Sequence, residues 1–429
     1  MKNLLIFFCV IIFLSSCGNS SRQRGKSAQQ NDTDATFHLY SPENKPIINV
    51  YLENSASMDG YVKGVTEFEQ AIYNYLSDIK ISELTDTLNL FYINSQIIPQ
   101  GSDIADFIEK LEPSTFRAKG GNRGTTDMSN VLKTILENTK ENDVAMLITD
   151  GIFSPGKGKN AKQYLVNQQI GIKTAMAQYL KLFPNTAVVV YQLTSQFDGT
   201  YYNREDYPKH INAQRPYYIW VVGNVANIAV LKTLIPEKNF KGSGVLHSFT
   251  LLPSSDREIN YAILNSPRLG SFDREKSMPK TSIYNIKKAS KGEHQGQFMF
   301  TVGMELSLFS VLLGDEYLMN TKSYARLINK QPNNDYYIEI EHNTNPNTKY
   351  THNMKLTTAQ ISLGEMEIIL RSVLPEWISA ANDDDGLNIE NDDAMNKTFG
   401  IKYLVGGIYE AYQMRGNDIY TIMKFNLKK

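Results

Sequence analysis

Cysteine is nearly absent from this chain of 429 residues: there are two, Cys9 and Cys17, both close to the N-terminus. A disulfide framework, a thiolate zinc site and a cysteine nucleophile are thereby excluded from the body of the chain. An excess of charge of either sign is missing too. Lysine and arginine total 44 against 45 acidic residues, a formal net charge of -1, which gives no sign of a nucleic-acid surface. The six histidines are scattered, with no H-E-x-x-H, and no G-x-S-x-G elbow is present. No convincing internal repeat occurs. Tryptophan numbers only 2 while tyrosine reaches 25, which fits either aromatic cores or a contact surface. What remains is ordinary for a soluble globular protein: 41% hydrophobic, 21% charged, and long enough for two or three domains.

The N-terminus carries its own signal. Lys2 precedes the apolar run LLIFFCVIIFL, and LSSCGNSS follows. The run is short for a membrane span and has the flanks of a secretory signal. LSSC resembles a bacterial lipobox. That resemblance implies that residues 1–17 are a signal peptide with its lipobox, that Cys17 is lipidated as the first mature residue once the segment before it is cut, and that Cys9 is removed. A plain signal peptide with an incidental cysteine is the alternative. Residues 18–45 are polar and read as a flexible tether. Arg22, Arg24 and Lys26 suit anionic headgroups, though solubility explains them as well. No acidic run follows Cys17. The expectation is a bacterial envelope protein, lipid-anchored on the periplasmic face of the outer membrane.

From residue 46 to 240, apolar strands alternate with helical patterns. PIINVYL, LNLFYIN, DVAMLITDG, TAVVVYQLT and YYIWVVG read as strands. Between them, VTEFEQAIYNYLSDI places Val65, Phe68, Ile72, Tyr75, Leu76 and Ile79 at helical spacing. DIADFIEKL, MSNVLKTILENT, the run from Ala161 to Phe183 and VANIAVLKTLI also read as helices. This order predicts an α/β fold, a doubly wound and mainly parallel sheet of Rossmann-like type, with ligands at the carboxyl ends of its strands. Residues 245–429 change style. GQFMFTVGMELSLF alternates, with Phe298, Phe300, Val302, Met304, Leu306 and Leu308 on one face. DYYIEIEH, HNMKLTT, EMEIILRSVL and IYTIMKFNL look like further strands. A mostly antiparallel β domain is expected, a sandwich being one arrangement that fits, with a helix around FGIKYLVGGIYEAYQM.

NVYLENSASM ends a buried strand in Glu53, Ser55 and Ser57. GTTDMSNVL places Thr126 just before a helix, and MLITDG places Asp150 at a strand end. Taken singly, these residues are strand-end hydroxyls, a helix cap and a turn. Taken together they offer hydroxyls and carboxylates with no nitrogen or sulfur, a donor set for a hard ion such as Mg²⁺. Here 46–240 resembles the von Willebrand factor A (vWA) domain. That family carries a metal-ion-dependent adhesion site (MIDAS) made from Asp-x-Ser-x-Ser, a distant Thr and a distant Asp. The resemblance implies that Ser55, Ser57, Thr126 and Asp150 are metal ligands. Glu53 stands where the family has Asp, one methylene longer. Such a site binds Mg²⁺ directly, prefers Mn²⁺ or Ca²⁺, or is degenerate and holds no ion.

Other motifs are weaker. Gly151, Gly156 and Lys157 match the spacing of a phosphate loop, but Gly158 replaces the metal-binding hydroxyl and Pro155 disturbs the backbone. A basic loop beside the metal site is the better reading. NDDDGLNIENDD, residues 382 to 393, misses the spacing of a calcium loop and reads as a solvated acidic loop. His342 and His352 flank an Asn-rich loop and read as exposed. FDGTYYNREDYPKH, residues 197 to 210, reads as an aromatic loop, either a contact surface or packed on its own domain.

With no catalytic constellation, the expectation is a binding module and not an enzyme. The resemblance implies a protein partner whose Asp or Glu completes the shell of the ion. A metal-free scaffold lipoprotein is the alternative, and a metal-dependent hydrolase a lesser one.

Overall fold

The computed structural model describes residues 45–124, 127–254, 258–276, 279–388, 392–416 and 418–429. Cys17, the signal peptide, almost all of the tether and Thr126 lie outside the described residues. A seven-stranded sheet is built from β1 (Ile47–Glu53), β2 (Thr87–Ile93), β3 (Ile97–Gly101), β4 (Val144–Thr149), β5 (Thr186–Tyr202), β6 (Pro208–Asn224) and β7 (Val245–Leu251). Their order is β3-β2-β1-β4-β6-β5-β7. β1 pairs in parallel with β2 and with β4. The β2–β3, β4–β6, β6–β5 and β5–β7 pairs are antiparallel.

The sheet is therefore mixed, which corrects the expectation of a mainly parallel one. The cause is the segment read as an aromatic loop. Residues 197–202 and 208–210 continue the two strands, and β5 and β6 pair without a break from Thr186↔Asn224 to Tyr202↔Pro208. A hairpin needs no crossover helix, so β6 returns antiparallel and inserts between β4 and β5.

Alternation along the strands divides the sheet residues between two faces. Ile48, Val50 and Leu52 join one apolar cluster with α1 (Glu67–Ile81) and α6 (Val225–Leu234). Between these helices in the chain lie α2 (Ile104–Glu109), α3 (Pro113–Ala118), α4 (Met128–Glu137) and α5 (Ala161–Leu182). Tyr51, Ala145 and Leu147 join the other cluster, with α4 and α5. α1 starts two residues later than its periodicity suggests. Thr66 caps it by accepting from the Glu69 N–H, and Val65 lies outside it, 86% exposed.

Apart from a parallel pair of two-residue strands, Asn382–Asp383 and Thr398–Phe399, the remaining strands form two antiparallel-rich sheets. β8 (Tyr261–Ile263), β11 (Phe298–Met304), β14 (Tyr337–His342) and β15 (His352–Thr358) make four strands in the order β14-β15-β11-β8. β9 (Ser271–Arg274), β10 (Ser282–Lys287), β12 (Tyr324–Ile328), β13 (Gln331–Pro332), β16 (Gly364–Arg371) and a final strand Ile419–Leu427 make six. Phe300 of the four-stranded sheet meets Phe425 of the six-stranded one edge-on at 6.2 Å, so the two share a core. The alternation ends at Met304. Leu306 is the residue that leads into α7 (Ser307–Leu313), which contains Leu308 and precedes the short α8 (Asp315–Met319).

The described residues all belong to one compact unit. β7 extends the first sheet past residue 245. Helix α9 (Ile401–Met414) returns to cover that sheet beside α5. Gly407 permits this: a Cβ there would lie 2.8 Å from both the Gln169 carbonyl oxygen and Ile172 Cγ2. Glu410 accepts from Lys173 Nζ at 2.9 Å and Gln169 Nε2 at 2.6 Å, and Tyr412 donates to the Thr186 carbonyl at 2.8 Å. On the other face, buried Lys232 of α6 donates to the Leu312 carbonyl of α7 at 3.1 Å and to Glu237 at 3.1 Å. No helix among the described residues is long and apolar enough to cross a membrane.

Candidate functional site

β1 and β4 are parallel neighbours in register, Leu52 opposite Ile148, so their carboxyl ends open side by side. The ENSAS loop leaves one and Asp150 leaves the other. Past Glu53 the Asn54 N–H still donates to the Ile93 carbonyl at 3.1 Å, and Asn94 Nδ2 donates to Asn54 Oδ1 at 2.9 Å. The chain then turns through the short 3-10 helix Ala56–Gly60. A Cβ on Gly60 would lie 2.4 Å from the Phe197 ring, and one on Gly199 would lie 2.6 Å from the Gly60 Cα. Two glycines thus let the loop sit against β5.

Arg123 clamps the same loop. Its Nε donates to the Asn54 carbonyl at 2.7 Å and its Nη2 to the Ser55 carbonyl at 3.1 Å, while the Ala56 N–H donates back to the Arg123 carbonyl at 2.9 Å. Asp59 also accepts from Arg123 Nη2. Asn54, Asn94 and Arg123 were not singled out from sequence. Asn54 and Asn94 do follow paired strand ends, Glu53 opposite Ile93, a match visible only once the register is known.

Ser55 is buried and Ser57 half-buried, and their hydroxyl oxygens lie 3.0 Å apart. Asp150 is 1% exposed. Its Oδ1 accepts from the Ile152 N–H at 3.1 Å, but its Oδ2 is buried with no hydrogen-bond partner. Burial pushes the Asp150 carboxyl above the usual carboxylate range. The nearby Ser57 hydroxyl, the Ile152 N–H and the charge of Arg215 pull it down. Ser57 acts on the carboxyl without closing a hydrogen bond to Oδ2. Glu53 is held differently: its Oε2 accepts from the Thr149 hydroxyl in the buried sheet end. The structure therefore brings Ser55, Ser57 and Asp150 together and ties Glu53 to the neighbouring strand.

Two observations bear on whether such a set suits a divalent ion. A buried carboxylate oxygen without a donor has an unmet need for positive charge or a proton. Adjacent ligands of an octahedral Mg²⁺ with bonds of about 2.1 Å lie about 3.0 Å apart, which is the separation of the two serine oxygens as well as that of an ordinary hydrogen bond. The donors are all oxygen, so Ser55, Ser57 and Asp150 fit a hard ion.

A cavity of about 270 Å³ adjoins the serines, lined by Ser55, Ser57, Arg123, Ser154, Tyr202 and Asp206 among others. Its far wall is the tip of the β5–β6 hairpin. Asp206 Oδ2 accepts from the Lys157 N–H at 3.1 Å and Glu205 Oε2 from the Gly158 N–H at 3.0 Å. Carboxylates of the chain thus occupy the amides that a phosphate would need. The Arg204 N–H donates to the Gly386 carbonyl at 2.9 Å, so the hairpin tip packs on the acidic loop. That loop folds on itself, Asp383 accepting from the Asp385 and Gly386 N–H groups, and Lys402 pairs with Asp384.

Arg215 was not foreseen. It is 2% exposed, stacks on the Tyr201 ring at 4.5 Å, and donates to the Lys397 carbonyl at 3.4 Å and to Met395 Sδ at 3.6 Å. Nothing in its sequence context, AQRPYY in a β-rich stretch, marks a buried cation.

Comparison with family models, with curated proteins and with solved structures gave no match.

Proposed function

We propose that this chain is an envelope lipoprotein, anchored through Cys17, whose α/β region binds an acidic group of a partner protein through a divalent cation. Ser55, Ser57 and Asp150 hold the ion, with Thr126 and the carboxylate of Glu53 completing a MIDAS-like set. The observation that carries this reading is Asp150 Oδ2, buried and unpartnered beside two serine oxygens. A bound Mg²⁺ supplies positive charge and a replaceable water position that a partner carboxylate can take. The chain does the rest. Asp150 supplies the negative charge, the serines supply uncharged oxygens, and Arg123 holds the loop in place from below. Burial of Asp150 lowers the local dielectric, which strengthens the charged contact.

Calorimetry on the full chain in detergent, with Mg²⁺, Mn²⁺ and Ca²⁺, tests the first half. Binding by the native chain and its loss in Asp150→Ala supports the reading; equal behaviour of the two sinks it. Capture of an envelope partner that chelator abolishes tests the second half.

Arg215 favours a second reading, a metal-free scaffold. A buried guanidinium already acts on Asp150 and can serve as a built-in counter-charge. On that reading Arg215→Met destabilises the chain and no ion binds with or without the substitution.

A further inference from the structure

The histidines read as scattered and exposed contain a close pair. His342 ends β14 and His352 begins β15, directly opposite one another in the antiparallel register. Their ring centroids are 4.9 Å apart. Asp315, at the start of α8, comes up beside both. Its Oδ2 lies 3.6 Å from His342 Nε2 and its Oδ1 lies 3.9 Å from His352 Nε2. His352 is not exposed: its side chain is 1% accessible, against 56% for His342 and 50% for Asp315.

We propose that Asp315, His342 and His352 form a second metal site, independent of the oxygen site, for a borderline divalent ion of which Zn²⁺ is the best match. Two imidazoles and a carboxylate are a donor set for zinc and its first-row neighbours, and not for Mg²⁺. One potential ligand atom from each residue lies within 4.8 Å of the others. Ligands about 2.0–2.2 Å from a tetrahedral Zn²⁺ sit roughly 3.3–3.6 Å apart. The required closure falls on Asp315 and His342, the two exposed side chains.

A separate observation points the same way. His352 Nε2 is buried with no hydrogen-bond partner, on the side of the ring that faces Asp315. Its other nitrogen, Nδ1, lies 2.9 Å from Thr351 Oγ1. That hydroxyl already accepts from the Leu306 N–H at 2.9 Å and faces the Met304 carbonyl at 3.4 Å as donor. With the hydroxyl proton on the Met304 carbonyl, its remaining lone pair accepts from Nδ1–H in the tautomer that leaves Nε2 with a bare lone pair. This is the outer-shell arrangement that orients a metal-binding histidine.

The hairpin is also braced before any ion arrives. The Asn343 N–H donates to the Thr351 carbonyl at 2.8 Å, Asn343 Nδ2 to the Tyr350 carbonyl at 2.9 Å, and the Asn345 N–H to Asn343 Oδ1 at 3.0 Å. Three protein ligands leave a position for water or for a donor from another molecule.

The test is Zn²⁺ calorimetry on the tag-free full chain in detergent, stripped with chelator, together with Co²⁺ absorption spectra. The native chain is expected to take one Zn²⁺ more than His342→Ala, or to bind it at least about 100-fold more tightly. Co²⁺ bands of an imidazole-ligated centre should appear in the native chain and vanish in His342→Ala and Asp315→Asn. His342 is exposed, so the first substitution spares the fold, as circular dichroism would verify. Asp150→Ala should retain this Zn²⁺. Equal stoichiometry and affinity in the native chain and His342→Ala would overturn the proposal. So would absence of Zn²⁺ binding in the native chain.

Discussion

The two donor clusters lie in regions built on opposite rules. At the edge of the mixed sheet, Ser55, Ser57 and Asp150 follow the ends of two parallel strands that register side by side. In the antiparallel sheet, His342 and His352 face each other across a hairpin while Asp315 arrives from a helix. Parallel strands gather loops at one edge, so donors that follow separate strands far apart in sequence become adjacent in space. Antiparallel pairing joins residues across a turn, so its cluster is written in the register and in no local motif. The chemistry differs as well. The first set is all oxygen and suits a hard ion; the second is imidazole-rich and suits a borderline one.

The largest effect that could break this contrast is on Mn²⁺ or Mg²⁺ binding. Asp150→Ala should weaken it by at least about 100-fold and leave Zn²⁺ titration untouched. If both ions are lost together, the two sites are not independent.

Gly407→Val tests whether the regions stand alone. The new side chain would run into the Gln169 carbonyl and Ile172, at a cost of roughly 2 kcal/mol. Because α9 covers the first sheet, a single cooperative denaturation with a lowered midpoint is expected. Two separate transitions, with only one shifted, would show the regions to be thermodynamically distinct.

Thr351→Val sharpens the contrast from the hairpin side. It removes the acceptor that orients His352 while keeping the shape, and should weaken Zn²⁺ by about 10-fold with Mg²⁺ unchanged. No change in Zn²⁺ affinity would show that Thr351 does not set the tautomer.

The smallest effect is a pH response confined to the α/β region. Burial, against a pull from the Thr66 N–H, raises Glu69 to about 7. An acid with a raised folded pKa favours the folded state when protonated. That stability is full below the unfolded value of roughly 4.3 and is lost as pH rises through about 7. Glu69→Gln should therefore gain on the native chain in denaturant midpoint between pH 5 and pH 8. A constant gap would contradict the shift.

Much of the α/β region could be read from the sequence because its signals are local. The apolar runs of β1 and β4, the Asp127 cap and the polar strand ends are all short-range features. The β5–β6 pairing was hidden because its strands run on through polar residues such as Gln196 and Asn212, paired at the surface. The continuation of PYYIWVVG therefore looked like a loop. α9 was visible as a helix, but no local feature says which sheet it covers; that depends on Gly407 meeting the turn at Gln169. At the oxygen site, Ser55, Ser57 and Asp150 were legible as a set. The buried Arg215 beside them was not, because a buried cation leaves no periodic trace. His352 looked exposed for a similar reason: its neighbours Thr351 and Asn353 are polar, and its burial comes from pairing with β11 and β14.

The contrast meets its most direct test in anomalous diffraction from crystals of this protein soaked separately in Mn²⁺ and Zn²⁺. The expected result is a manganese peak within bonding distance of Asp150 Oδ2 and the Ser55 and Ser57 hydroxyls, and a zinc peak among Asp315, His342 and His352. Manganese absent from Asp150, with Arg215 alone facing the carboxylate, would contradict the metal-binding role of the sheet edge.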